Sequence, residues 1–211
     1  LTPLKNNDIE TARTQLSYYV GRDTENLSPS EILRAVLETI AENTTDGVTA
    51  PLFYAIVGLL IPSVGMVPFA LAYKAASTLD SMIGYQREPF TDIGWFSAKL
   101  EDILTWLPCR LTVLSMGLIG RKPRQVWQVG KRDATQDPSP NAGWSECAYA
   151  VVLGVQLGGD NTYQGFVKKK PRLGDSNYTI TEATIEKALG LTRACFLSWL
   201  GLAVGLTLLI R

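Results

Sequence analysis

The run from Val48 to Tyr73 carries no charged side chain. A helix of about 20 apolar residues crosses a bilayer, so a run of this length is a membrane-crossing candidate. Pro51, Pro62 and Pro68, with Gly58 and Gly65, break it into pieces. Backbone groups freed by such breaks find no water inside a bilayer and must meet a neighbour or line a cavity. The run is therefore expected to form a kinked crossing or a re-entrant pair.

Two further stretches share its character. Leu104 to Gly120 is apolar but interrupted by Pro108 and Arg110, and Ala194 to Ile210 is uncharged between Arg193 and Arg211. An arginine inside such a segment costs about 2.5 to 3.5 kcal/mol on insertion scales, so it turns to the protein interior and to a partner such as Asp102. With charged residues at only 19%, the expected fold is an all-α, polytopic membrane helical bundle forming a single domain over residues 1–211. Ala142 to Gly159, which carries Glu146, reads as a short buried or interfacial helix. Gly158 to Gly174 reads as a polar, turn-rich loop, and residues 89 to 101 as a loop leading into a helix.

Topology raises a difficulty. If 48–73, 104–120 and 194–210 each cross once, the residues before Gly47 and those from Arg121 to Arg193 share one face, which their Lys and Arg content makes cytoplasmic. Lys74, Asp80 and Asp102 would then lie opposite Glu42 and Asn141. A re-entrant fold of the first run reunites them.

Ahead of that run lies the densest acidic spacing. Ser28, Pro29 and Glu31 supply an N-cap, a first-turn proline and a capping-box glutamate, so a helix starts there. Ile32, Leu33, Val36, Leu37 and Ile40 form its buried stripe, with Arg34, Glu38 and Glu42 on the polar side. Glu38, Glu42 and Asp46 follow at intervals of four, and like charges at that spacing repel by a few tenths of a kcal/mol per pair. A cationic partner is expected at this stripe.

Absences narrow the chemistry. The chain has no histidine, which excludes a Ser-His-Asp triad, a Cys-His pair and HExxH zinc chemistry within it. No phosphate-binding GxxxxGK[ST] or GxGxxG motif is present, and a net charge of +0 argues against a nucleic-acid partner. Cys109, Cys147 and Cys195 are odd in number and sit in apolar contexts, which suits packing. The remaining inventory is acidic (Glu38, Glu42, Asp46, Asp80, Asp102), cationic (Arg22, Arg34, Lys74, Arg110, Arg132) and small polar (Asn43, Thr78, Ser139, Asn141). Carboxylates with amides can hold Mg²⁺ through oxygen, while Lys and Arg clamp phosphate.

Six ordered motifs go further: GRDTENL, RAVLETIAENTTDGVTAPLFY, YKAASTLDSMIGY, LPCRL, SPNAGWSECAYA and LGGDNTYQG. Together they resemble the CobD/CbiB family of adenosylcobinamide-phosphate synthases over Gly21 to Gly165. The sequence departs from the family pattern at Ser77, where asparagine is expected, at Cys109, where alanine is, and at Pro138, where a histidine often precedes Ser139. The resemblance implies a multi-pass enzyme of the cell (inner) membrane, in contact with the lipid bilayer, that uses ATP and Mg²⁺. Its substrates would be adenosylcobyric acid and aminopropanol or aminopropanol phosphate, joined as an amide.

The resemblance implies catalytic roles for Glu38, Glu42, Asp46 and Lys74, and Mg²⁺ ligation by Glu42, Asp46 and Asp102. Substrate contacts would fall to Arg22, Asn43, Thr78, Asp80, Arg110, Ser139 and Asn141. Family members begin with further hydrophobic segments, so the chain is expected to correspond to their C-terminal part. The competing expectation is a non-catalytic, AmpE-like regulatory or ligand-binding membrane protein.

Overall fold

The structure is a computed structural model that describes residues 1–84 and 90–210. Tyr85 of the YKAASTLDSMIGY motif, Pro89 and Arg211 lie outside the described residues.

Two short helices, α1 (Thr2–Lys5) and α2 (Ile9–Ser17), precede α3 (Pro29–Asn43). The predicted capping box is present: the Glu31 backbone N–H donates to Ser28 Oγ, and the Ser28 backbone N–H donates to Glu31 Oε2 at 2.8 Å. A π-helical turn (Thr44–Thr49) then leads into α4 (Ala50–Leu59). After α4 the chain reverses into α5 (Met66–Ile83). The uncharged run is thus a helical hairpin. With 10 residues, α4 spans about 15 Å, half of a bilayer core of about 30 Å. At the hairpin tip Gly65 has a φ of 85°, and a Cβ on Gly58 would collide with the Gly65 carbonyl.

The short α6 (Phe90–Ile93) and long α7 (Trp95–Ile119) follow, so most of residues 89–101 is helical and not a loop. Pro108 sits inside α7 without ending it. A proline removes the donor to the carbonyl four residues back. Here that carbonyl, of Leu104, accepts from the Tyr54 hydroxyl at 2.9 Å. Helix α4 thus satisfies the backbone group that α7 leaves open.

Next come α8 (Pro123–Asp133), a 3₁₀ turn (Ala134–Gln136) and α9 (Ala142–Leu153). Strands β1 (Leu157–Tyr163) and β2 (Phe166–Leu173) form an antiparallel hairpin with a bulge at Gly158/Gly159, and α10 (Glu182–Ile210) closes the chain. The hairpin corrects the all-α expectation. The composition of LGGDNTYQG suggests only a loop, yet positive φ at Gly158, Gly159 and Gly165 fits the bulge and the turn.

The core joins α3, α7, α8, α9, the hairpin and the first half of α10 around Leu37, Val113, Met116, Tyr149, Leu157 and Ile185. All three cysteines are buried. Outside this core, large apolar side chains face outward on the α4–α5 hairpin, α7 and α10, including Val67, Ile103 and Leu208 at 65, 72 and 73% exposure. Helices α7 and α10 are long and apolar enough to cross a membrane.

Candidate functional site

The three carboxylates expected to share one stripe fall into three settings. Helix α3 is covered on two sides: Ile32 and Ala35 pack on Ala12 and Leu16 of α2, while Leu37 and Ala41 pack in the main core. Glu38 is consequently 1% exposed. It forms an ion pair with Arg22, lies 3.8 Å from Arg34, and accepts from the Gly158 backbone N–H at 2.9 Å. Arg22 and Arg34 also donate to Asn161 Oδ1, at 2.9 and 3.2 Å. This cluster fastens α3 to β1. Glu38 therefore points inward and not to the open polar side, and Arg22 is its partner.

Glu42, one turn on, is partly open and has Lys170 of β2 at 3.6 Å. The π turn then breaks the straight stripe. Such a turn carries an extra residue per repeat and rotates the residues beyond it. It is pinned by hydroxyls: Thr49 Oγ1 bonds Thr112 Oγ1 at 2.6 Å, Thr45 Oγ1 bonds Ser145 Oγ at 3.1 Å, and Thr44 Oγ1 bonds the Tyr149 hydroxyl at 2.8 Å. Asp46, on this turn, is half-buried.

Around Asp46 the fold gathers charge from three other segments. Enclosure by protein atoms, then the fields of Glu101, Glu42 and Asp80, push its carboxyl up to about 8, with Lys74 acting in opposition. The α7 carboxylate that acts on Asp46 is Glu101, beside the predicted Asp102. Glu101 accepts from Thr105 Oγ1, which bonds the Tyr73 hydroxyl at 2.8 Å. Lys74 and Asp80 arrive on α5. Lys74 is exposed and, among the described residues, has no carboxylate within ion-pair distance. Thr78 lines the same open groove on α5 as Lys74.

A second group forms where the 137–141 loop meets α7. Asn141 Nδ2 donates to the Asp102 carbonyl at 2.9 Å, and its Oδ1 accepts from Arg110 Nη1 at 3.1 Å. Arg110 Nη2 donates to the Pro140 carbonyl at 2.9 Å, and its guanidinium lies 4.6 Å from the ring centre of Trp144 and 5.3 Å from that of Trp106. Ser139 Oγ accepts from the backbone N–H groups of Asn141 and Ala142, at 3.3 and 3.1 Å, at the start of α9. Asp102 pairs with Lys99 at 3.6 Å. Asn43 is exposed and donates to the Thr39 carbonyl at 3.0 Å.

The structure thus brings Glu42, Asp46, Lys74 and Asp80 into one electrostatic neighbourhood. Glu38 and Arg22 are set apart from it, and Arg110 of α7 holds the loop that carries Ser139 and Asn141. Sequence reasoning passed over Glu101, Glu146 and Lys170. Glu101 was visible only as the neighbour of Asp102. Glu146 had a clear signal, a carboxylate in an otherwise apolar helix. Lys170 had none, because its place depends on the unpredicted hairpin.

Among the described residues, no three His, Cys, Asp or Glu side chains converge into a metal cage. Mg²⁺ is usually held by one or two carboxylates completed by water and substrate phosphates. Glu42 with Asp46 fits that sparser donor set, with Glu101 and Asp80 adding further negative charge around Asp46.

The family model described as CobD/Cbib protein matches residues 1–192. "Cobalamin biosynthesis protein CobD" of Synechocystis sp. is 59% identical over 210 residues, an alignment covering 100% of this chain and 61% of that protein. The protein of the same name from Halalkalibacterium halodurans is 44% identical, over 94% of this chain and 61% of its own length. "Cobalamin biosynthesis protein CbiB" of Salmonella typhimurium is 42% identical, over 99% of this chain and 62% of its own length. The chain therefore spans about three fifths of the length of these curated relatives. No solved structure matches it. A match over nearly the whole chain places this chain in the CobD/CbiB family.

Proposed function

We propose that the protein acts in cobalamin biosynthesis as an adenosylcobinamide-phosphate synthase of the cell membrane, joining adenosylcobyric acid to aminopropanol or its phosphate with ATP and Mg²⁺. One observation carries this reading: the reversal of the uncharged run brings Lys74 and Asp80 of α5 into the field of Asp46 and Glu101. A cation and several carboxylates supplied by separate segments suit a reaction that handles phosphates and an amine together.

Amide formation needs an activated carboxyl group, a neutral amine and stabilisation of developing negative charge. Glu42 and Asp46 are the residues that would hold Mg²⁺, which supplies charge neutralisation at phosphate oxygens. Lys74, with no carboxylate at ion-pair distance among the described residues, is available to an anionic oxygen of the phosphate or propionate. Glu101, which is outside that donor set, is the carboxylate that would take the proton from the attacking ammonium. Arg110 and Asn141 hold the 137–141 loop against α7, which orders the wall of the site.

The outward apolar faces of the α4–α5 hairpin, α7 and α10 support a bilayer setting with more than one crossing.

The test is direct. The gene encoding this chain is expressed in a cobalamin auxotroph blocked at cobinamide formation, and the detergent-solubilised protein is incubated with both substrates, ATP and Mg²⁺. Mass spectrometry should find the amide product, with loss of about a hundredfold or more in Asp46→Asn and Lys74→Ala. Absence of both rescue and product would favour the non-catalytic, regulatory reading.

A further inference from the structure

Strand β2 brings a lysine to the edge of the site. Lys168 and Lys169 are exposed, whereas the side chain of Lys170 is 21% exposed and turned toward α3 and α9. Its Nζ lies 3.6 Å from Glu42 Oε1 and 3.9 Å from Glu146 Oε1. At these separations opposite charges attract, but no hydrogen bond forms. The ammonium donors therefore have no acceptor among the described residues. Beneath them Glu146 is 0% exposed, and both of its carboxylate oxygens lack a donor among the described residues.

A buried ion pair kept only for stability closes its hydrogen bonds, because the desolvation cost is otherwise uncompensated. This one stays open on both partners, and Glu42, with a side chain 40% exposed, marks its solvent side. A lysine presents a compact charge with rotatable donors, which suits a tetrahedral phosphoryl oxygen. The neighbouring carboxylates repel a bare anion. They favour a phosphoryl group on a ligand that also carries positive charge, such as a phosphorylated amine or a magnesium-bound nucleotide.

We propose that Lys170 is an anion-binding residue that donates to a substrate phosphoryl oxygen, with Glu146 beneath it as the positioning residue that fixes the ammonium. This assignment deepens the synthase reading and rests on it for the identity of the substrate, but not for the binding step.

Binding is measured by calorimetry on the full protein in detergent, with 1-amino-2-propanol O-phosphate and magnesium-ADP as probes. Lys170→Met should weaken at least one probe about tenfold or more, the worth of a charge-assisted hydrogen bond. Lys170→Arg should restore most of that binding, and Lys168→Met on the same strand should leave it intact. Glu146→Ala, which removes the carboxyl oxygens in either protonation state, should weaken the same probe and increase the mobility of the Lys170 side chain seen by NMR of labelled lysine. Loss confined to the amine phosphate assigns the lysine to that ligand, and loss confined to magnesium-ADP assigns it to the nucleotide. Lack of binding of both probes by the wild type, or wild-type affinity for both in Lys170→Met, would overturn the proposal. Synthase turnover unchanged in Lys170→Met removes this lysine while sparing the synthase reading. Phosphoryl binding lost in that variant, in a protein that forms no amide, removes the synthase reading alone.

Discussion

Arg22 and Glu38 form an ion pair whose side chains are only 7 and 2% exposed. Sixteen residues apart along the chain, they join the segment before α3 to its middle, and Asn161 and the Gly158 N–H complete the cluster from β1. Removing one partner strands a charge in the core, which costs about 3 to 5 kcal/mol. Glu38→Ala and Arg22→Ala should each lower stability by that order in thermal unfolding. Their losses should be strongly non-additive in the double variant, because the second removal strands nothing further. Additive losses would mean that the pair is not coupled.

Glu146 predicts a pH dependence. Burial is the main cause that pushes its carboxyl well above the ordinary carboxylate range, against the attraction of Lys170. An acid whose folded value is raised binds its proton more tightly in the native state, so stability falls as pH rises from the unfolded value toward the folded one. Below about pH 4.5, where both states are protonated, this cost is absent. Glu146→Gln, neutral at every pH, should match the wild type below about pH 4.5 and gain on it as pH rises above that value. Melting temperatures across that range check it; a constant difference would place the titration elsewhere.

The helices were largely legible in the sequence, because each rule behind them is local. The capping box at Ser28 and Glu31 sets the start of α3, and the proline and glycine density of the uncharged run announces its reversal. The site was legible residue by residue but not as an arrangement. Which α7 carboxylate acts on Asp46 depends on the rotation introduced by the π turn, and the spacing of acidic residues carries no sign of that turn. Glu38 was misplaced for a related reason: a single apolar stripe implies one covered face, and α3 has two. The β hairpin depends on a glycine bulge whose strands lack the alternation that makes strands recognisable, so Lys170 stayed hidden with it.

Asp46 gives a prediction about metal. With its carboxyl pushed up to about 8 by burial and by Glu101, Glu42 and Asp80, it holds a proton at pH 7. Ligands must deprotonate to bind a metal, so Mg²⁺ binding at Glu42 and Asp46 should release roughly one proton at that pH. Calorimetry in two buffers of different ionisation enthalpy measures the number. Asp46→Asn should abolish the release. Binding that releases no proton in the wild type would remove Asp46 from the donor set.

Arg110 separates two roles that the sequence alone could not. As a free phosphate ligand it would tolerate lysine in part, because charge is what such a ligand supplies. In the structure its donors are committed to Asn141 Oδ1 and the Pro140 carbonyl, and its flat guanidinium lies against Trp144 and Trp106. A lysine ammonium reproduces neither the paired donors nor the stacking. Arg110→Lys should therefore behave much like Arg110→Ala. Two hydrogen bonds and a partly exposed cation–π contact together put the loss at about 1 to 3 kcal/mol. Because Asn141 also holds the Asp102 carbonyl, the loosened 137–141 loop should exchange its amide hydrogens faster in both variants, without substrate present. Retained protection in Arg110→Lys with selectively weakened phosphate binding would instead make Arg110 a direct ligand.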